Sequence, residues 1–403
     1  MNWFQFVRLI HSIYRIGGRL PDLEWIQHLG LLAVKLAQVH ALRIDFLDRD
    51  KCEHLSQLYR QNATIPAEDF RSLLRASAGD RFFDHFKEIS DTPLASASVG
   101  QVHRAKLLDG SLVVIKAIKR EVREQFMADV ENVRRLLCLC TALYPKLRKV
   151  GDPMGILDDI EEYTLSELDL RQEVRGQQTL KSIYERNRGR FDLSKLQFAH
   201  VYEPLCNDRI MVSEWIPGPS FDELLETGDL PYQQLLELFR IHGYYMFCVG
   251  TFHGDIHPGN VLLSNGQLCF IDTGYIGSVG LKIRRGLFHF FSALSEYDYP
   301  RCALALNNMS EHELTGPAFY QFQKLFIELY IDFEGSTVAQ ISLTKMMMQT
   351  IKLGVHRGMR FEKGIFAIIR SLMYLDGMVL RCNPNAVLLK DMRPFIGEFE
   401  SLL

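Results

Sequence analysis

A chain of 403 residues, 47% hydrophobic and 24% charged, has the make-up of an ordinary globular protein and is long enough for two lobes with separate cores. A net charge of -3, with no basic stripe carrying interleaved aromatics, argues against a nucleic-acid partner. The eight cysteines form no CxxC pair and read as buried thiols of a reducing compartment, which sets aside a disulfide framework or a zinc site.

In chain order, Trp3, Phe4, Phe6, Val7, Leu9, Ile10, Ile13, Tyr14 and Ile16 are interleaved with Arg8, Arg15 and Arg19, and no acid precedes Asp22. This spacing predicts a basic, aromatic, amphipathic helix, which either lies in a membrane interface or packs on the protein's own surface. It lacks the cleavage site and clean apolar core of a secretory signal. Residues 1 to roughly 90 read as helical throughout, with helical apolar spacing over 24–47 and a helix start near Pro66. Near Pro93 the pattern changes to strands, Val99 to Lys106 and Leu112 to Ile118, joined by the turn Leu108-Asp109-Gly110-Ser111. Helical spacing returns from Glu121 to about Asn187, broken around Gly151-Asp152-Pro153. Strands are expected at Phe198–Val201 and Arg209–Trp215, before the breaker Pro217-Gly218-Pro219. From Phe221 the chain is mostly helical apart from a hairpin at 261–271, and no stretch reaches the roughly 18–20 apolar residues of a membrane span.

The chemistry concentrates in His253-Gly254-Asp255-Ile256-His257-Pro258-Gly259-Asn260, followed by Ile271-Asp272-Thr273-Gly274. An Asp, an Asn five positions on (255 to 260) and a second Asp (272) are the groups phosphoryl transfer needs. One carboxylate orients or deprotonates the attacking hydroxyl, while an amide and a carboxylate hold Mg2+ on the phosphates. Val113-Val114-Ile115-Lys116 is an apolar strand ending in a lysine, the kinase arrangement for holding phosphates. Upstream, the phosphate-loop pattern GxGxxGxV falls on Ala95, Ala97, Gly100 and Val102, with Ser98 and Val99 between, so two glycines are alanines. Close backbone approach to phosphate favours glycine, so nucleotide contact should differ from that of ordinary kinases. Glu173, within an expected helix Leu165–Thr179, is the candidate partner of Lys116. Asp169 would then neighbour Glu173 at i,i+4, a repulsive spacing unless a cation lies close. In a kinase-like junction, backbone near Glu214 and Ile216 would meet the adenine edge, and Ser213 would set the pocket's depth.

Together these residues resemble the UbiB/AarF/ADCK atypical kinase-like proteins over nearly the whole chain. The resemblance runs through PLASASVGQVHRA (93–105), the VVIK lysine, SELDLRQE (166–173), HGDIHPGN, IDTG and the late stretch from Arg370 to Pro384. It implies an α+β, protein-kinase-like two-lobed fold: a helical extension over 1–90 covering the active site, a small lobe with inserted helices over 91–216, and a helical lobe over 217–403. A KxGQ signature is matched by Lys35-Leu36-Ala37-Gln38 and an ExD signature by Glu167 and Asp169. Lys35 and Gln38, three apart, would share a helix face above the phosphates. The family binds ATP with Mg2+ and is linked to ubiquinone or other isoprenoid-lipid metabolism, typically at a membrane. This implies Asp255 as catalytic, Asn260 and Asp272 as metal residues, and a quinone or isoprenoid lipid, a membrane surface or quinone-biosynthesis proteins as partners.

Two departures stand out: Ala37 replaces the glycine of KxGQ, and Thr273 replaces the phenylalanine usual after the metal Asp. Bacterial members often end in transmembrane helices, whereas the C-terminal stretch from Met392 is too short and too charged to span. The chain is therefore expected to be cytoplasmic or peripheral at a membrane. The leading expectation is an ATPase or small-molecule kinase acting near isoprenoid lipids. A protein kinase and a non-enzymatic nucleotide-sensing scaffold are the alternatives.

Overall fold

The computed structural model describes residues 1–15, 20–41, 47, 49–59, 64–96, 99–119, 122–144, 153–361 and 364–403. The fold is α+β. It divides into two compact units, Met1–Arg175 with Ala199–Trp215, and Gly176–Phe198 with Ile216–Leu403.

The first unit is built on a four-stranded antiparallel sheet of order β1-β2-β3-β5, formed by β1 (Phe86–Ser96), β2 (Gly100–Leu107), β3 (Leu112–Ile118) and β5 (Ile210–Glu214). Alternation makes the strands: Gln101, His103, Ala105 and Leu107 point inward from β2, and Val113, Ile115 and Ala117 from β3. Their hairpin closes at Gly110, whose φ of +93° suits glycine. Strand β1 corrects the expectation of helix up to residue 90. Its ladder is irregular around Pro93, which can sit there because β1 is an edge strand that loses no central hydrogen bond.

Helix α5 (Ala67–Ala78) covers the sheet through Phe70, Leu73 and Leu74. A second core joins α1 (Trp3–Tyr14), α2 (Leu23–His28), α3 (Leu31–Ala41), α4 (Arg49–Ser56), α6 (Val122–Leu143) and α7 (Pro153–Glu167). The helical spacing over 24–47 is not one helix. Gly30, at φ +102°, separates α2 from α3, and α3 is buried nearly all round. The expected break at 151–152 lies outside the described residues.

The second unit begins within α8 (Leu170–Asn187) and carries the small sheet β4-β8-β7, from β4 (Leu196–Gln197), β7 (Val261–Ser264) and β8 (Gln267–Phe270). The β7–β8 hairpin matches the sequence expectation, with Asn265 and Gly266 both at positive φ as a two-residue turn requires. The strand expected at 198–201 is shorter and earlier. Only Leu196–Gln197 pairs, with β8, and Val201 makes an isolated bridge to Ser213. A two-stranded ladder unites β6 (Thr251–His253) with β9 (Ile276–Ser278).

The remainder is helical: α9 (Phe221–Thr227), α10 (Tyr232–Gly243) continued by a π turn over Tyr244–Val249, α11 (Leu281–Ser295), α12 (Tyr299–Met309), α13 (Gly316–Leu329), α14 (Leu343–His356), α15 (Gly364–Cys382) and α16 (Leu388–Glu400). Fully buried Phe290, Phe322, Phe326 and Tyr330 fill its core, each burial worth about 1.5–3 kcal/mol. Among the described residues, no helix is long and apolar enough to cross a membrane.

Candidate functional site

In the second unit, β6 delivers His253 into the interior and the chain turns through Asp255 to a short 3-10 turn over Pro258–Asn260. His253 is the organiser. Its Nε2–H donates to the Ile271 carbonyl at 3.1 Å, and its Nδ1 accepts from the Asp255 amide at 3.2 Å. Both roles require a neutral ring, and burial pushes its pKa down, against the raising effects of the Ile271 carbonyl, Asp255 and Asp272. The Asn260 Nδ2 donates to the Asp255 carbonyl at 3.0 Å, and the Ile271 amide donates to the Asn260 carbonyl at 2.9 Å. Asp255, Asn260 and Asp272 are thus brought together by one hydrogen-bonded frame.

Asp272 sits at φ +53°, a left-handed conformation that costs a non-glycine residue about 1–2 kcal/mol and persists where its surroundings hold it. Gly254 is required by its neighbour, since a Cβ there would lie 2.2 Å from the Tyr275 ring. With its Nδ2 turned toward Asp255, Asn260 has its amide oxygen as a donor for a hard cation, and Asp272 has its carboxylate. Among the described residues, no group of three or more His, Cys, Asp or Glu forms a cage. A pair of oxygens completed by phosphates and water is how Mg2+ is commonly held, so these residues fit that ion.

In the first unit, Lys116 on β3 meets Glu173 on α8, Nζ to Oε2 at 2.6 Å, with both side chains largely buried. Lys35 on α3 pairs with Glu167 at the end of α7, with Nζ–Oε1 at 2.8 Å, and its Nζ lies 5.0 Å from the centre of the Tyr163 ring. Gln38 is buried and donates to the Leu58 carbonyl at 3.1 Å. The expected helix over 165–179 is interrupted: α7 ends at Glu167 and α8 starts at Leu170. Asp169 lies in that break, accepting from the Arg171 amide at 3.1 Å and its guanidinium at 2.8 and 3.0 Å. It therefore does not stack on Glu173 as an i,i+4 pair. Partial burial pushes the Asp169 pKa up, but the Arg171 contacts outweigh it and hold the carboxyl below its usual range.

Of the Ala-rich turn, Ala95 pairs with Val102, and the Val99 carbonyl accepts from the Lys119 amide at 2.9 Å. Ala97 and Ser98 lie outside the described residues. Gly100 is needed for strand pairing: a Cβ would stand 2.9 Å from the Ala117 carbonyl. Ser213 pairs with Val114 on β3. The Glu214 amide is already used, donating to the His200 carbonyl at 2.7 Å, and its carboxylate accepts from the His200 amide at 3.0 Å. Ile216 is buried at the start of the second unit's long segment.

Residues 57–306, well over half of the chain, match the family model of the ABC1 atypical kinase-like domain. The chain belongs to this family. A protein of Glaesserella parasuis named "Probable protein kinase UbiB" is 26% identical over 392 residues, covering 93% of this chain and 69% of its own. The Cronobacter sakazakii protein of the same name is 27% identical, covering 96% and 71%. A Clostridium pasteurianum protein, described as uncharacterized and from the hydrogenase 1 5' region, is 24% identical, covering 92% and 69%. Rv3197 from Mycobacterium tuberculosis, in its complex with erythromycin, is 22% identical, with a TM-score of 0.55 over 90% of each chain, which shows a shared fold.

Several residues of the chain, inside and beyond the matched ABC1 domain, carry roles their sequence position did not announce. Fully buried Gln101 accepts from the Ile65 amide at 2.8 Å, and its Nε2 lies 3.2 Å from the Ile65 carbonyl and 2.8 Å from His103 Nε2. The VGQVH run thus fastens the start of α5 to the sheet. The signal available was polar residues two apart on the inward face of a strand. In the late stretch, the Arg370 guanidinium lies 4.5 Å over the Tyr275 ring. Buried Asp376 accepts from Ser342 Oγ at 2.7 Å and the Thr344 amide at 3.1 Å, closing the start of α14.

Proposed function

We propose that this protein is a Mg-ATP-binding atypical kinase or ATPase that passes the γ-phosphoryl group to water or to a small or lipid acceptor, in support of ubiquinone or another isoprenoid-lipid pathway. The observation that carries this reading is the frame in which neutral His253 orders Asp255, Asn260 and Asp272. Asp255 would orient or deprotonate the nucleophile. Asn260 and Asp272 would hold Mg2+, whose chemistry is to neutralise phosphate charge and fix the leaving group. Lys116, positioned by Glu173, would hold the phosphates, with Val99 to Val102 and the 213–216 segment toward the nucleotide. Lys35 and Gln38 would act from the extension, with Lys35 paired to Glu167 of the ExD signature that also holds Asp169.

The membrane part of the proposal has its support in α1. Leu9 and Ile13 are buried in the helical core, while Phe4 is 89% exposed and Val7 57%. The helix packs by one face, and its exposed face beside Arg8 would be the one to meet a membrane surface.

Phosphate release from Mg-ATP, with and without vesicles containing anionic lipid, compared between wild type and Asp272→Asn, tests the reading. Metal-dependent turnover lost in the variant is expected. Equal turnover by both proteins would remove Asp272 from the chemistry. A second reading, a protein kinase, has in its favour the name its relatives carry. It predicts Asp255-dependent transfer to an added protein in place of water.

A further inference from the structure

Helix α8 holds Glu173 in its first turn and, three residues on, Gly176. A Cβ built on Gly176 would stand 1.9 Å from the Thr273 carbonyl oxygen, 3.0 Å from its carbonyl carbon and 3.2 Å from Ile276 Cγ1. Both Gly176 and Thr273 belong to the second unit. The first distance is far inside van der Waals contact, and the obstacle is backbone, which cannot rotate away as a side chain can. At this position any residue but glycine would push either the helix or the loop.

The loop so touched is the one that presents Asp272. Thr273, the next residue, is buried, and Asp272 itself is at φ +53°, a conformation that needs support. On the side before Asp272, support comes from Ile271, whose carbonyl accepts from His253 and whose amide donates to Asn260. On the side after it, the Gly176 backbone packs against the Thr273 carbonyl so closely that a Cβ would overlap it. The effect of this approach is geometric, since it leaves no room for a side chain between helix and loop. With threonine in place of phenylalanine, the loop has no large aromatic side chain to swing in or out, and a backbone seat holds it.

We propose that Gly176 is a positioning residue for the metal loop: by seating the Thr273 carbonyl it fixes the Asp272 carboxylate for Mg2+. This rests on the reading of Asp272 as a metal residue given above. Residues that orient a metal ligand from outside commonly change metal affinity by about 10–100-fold when altered.

The test is a Mg2+ titration of ATP binding by calorimetry on the full chain, for wild type, Gly176→Ala, Asp272→Asn and Gly189→Ala. Gly189 is the matched control, since a Cβ there meets nothing within 4 Å. The expected result is a half-saturating Mg2+ concentration raised about tenfold or more in Gly176→Ala. ATP binding in EDTA should be unchanged in that variant, and Gly189→Ala should behave as wild type. A merely structural glycine would lower the melting temperature without this selective loss of metal response. A folded Gly176→Ala with wild-type Mg2+ dependence, while Asp272→Asn loses it, overturns the seat and spares the metal assignment. Wild-type Mg2+ dependence in Asp272→Asn overturns both. Should Gly176→Ala fail to fold, Thr273→Gly loosens the same loop without crowding α8. It is expected to raise the Mg2+ requirement, and an unchanged requirement in that variant counts against the seat.

Discussion

His242 shows what single residues cost and what they do. It lies on α10, fully buried, with neither ring nitrogen hydrogen-bonded and its ring edge-on to Phe252 at 5.6 Å. Burial, reinforced by His253, pushes its pKa down to about 3. Unfolding restores an ordinary histidine, so the unfolded chain takes up a proton below about pH 6.5 that the folded chain refuses. Stability is therefore full above that pH and falls below it, by about 1.4 kcal/mol per pH unit for one such group. His242→Leu should unfold at a higher temperature at pH 7 and have a flatter stability profile between pH 6.5 and 4, measured by thermal melts across pH. His253, lowered in the same direction but hydrogen-bonded, should not tolerate the same exchange. The Lys116–Glu173 pair behaves differently, because removing one partner strands a buried charge. Lys116→Met should cost about 3–5 kcal/mol of stability, read from denaturant unfolding. Adding Glu173→Leu should restore much of the stability but none of the ATP binding. The sequence disclosed these residues unevenly. Lys116, Asp255, Asn260 and Asp272 stand in runs whose spacing is itself chemical. Gly176 looks like any helical glycine, because its role depends on a loop 97 positions away, 273 against 176.

At the scale of elements, helix α1 has one packed face and one exposed face. Its buried end is fixed by Lys51, whose Nζ donates to the Ile13 carbonyl at 3.1 Å and to that of Arg15. Its outer face leaves Trp3, Phe4 and Val7 uncovered, and the Arg8 guanidinium lies 4.5 Å over the Trp25 ring. Phe4→Asp combined with Val7→Asp should leave the melting temperature within a degree or two, because exposed substitutions change stability by less than about 0.5 kcal/mol. The same pair should abolish co-sedimentation with anionic vesicles, and unchanged co-sedimentation would exclude α1 as the membrane face. Element boundaries were less legible than this helix. Strand β1 escaped detection because an edge strand with only Ile89 buried lacks the alternation that betrays β2 and β3. The break between α7 and α8 was hidden because helical spacing continues through it. The Leu170 amide, which donates to the Asp208 carbonyl at 2.9 Å, and the Arg171 contacts of Asp169 mark the turn.

At the scale of the whole molecule, residues 176–198 are the telling segment, because they fold with residues 216–403 although a stretch of the other unit separates them in sequence. Leu196–Gln197 supplies the strand beside β8, and the Leu180 carbonyl accepts from the buried Tyr245 hydroxyl at 2.9 Å. Phe191 stacks on Tyr244 with centroids 4.1 Å apart, and the Arg240 guanidinium covers the same ring at 4.2 Å. No shift in composition marks this membership, which follows from contacts made only once the chain has closed on itself. A fragment of residues 216–403 would lack the β8 partner strand and would open the face of Tyr244 and Tyr245 to water. Losing the buried Phe191 alone is worth about 3–5 kcal/mol, a large part of the 5–15 kcal/mol that holds an average domain folded. The fragment 216–403 should therefore unfold without a cooperative transition in circular-dichroism melts. The fragment 176–403, which keeps the strand and the aromatic stack, should melt cooperatively. Cooperative melting of the shorter piece would mean that the segment decorates the second unit and takes no part in its core.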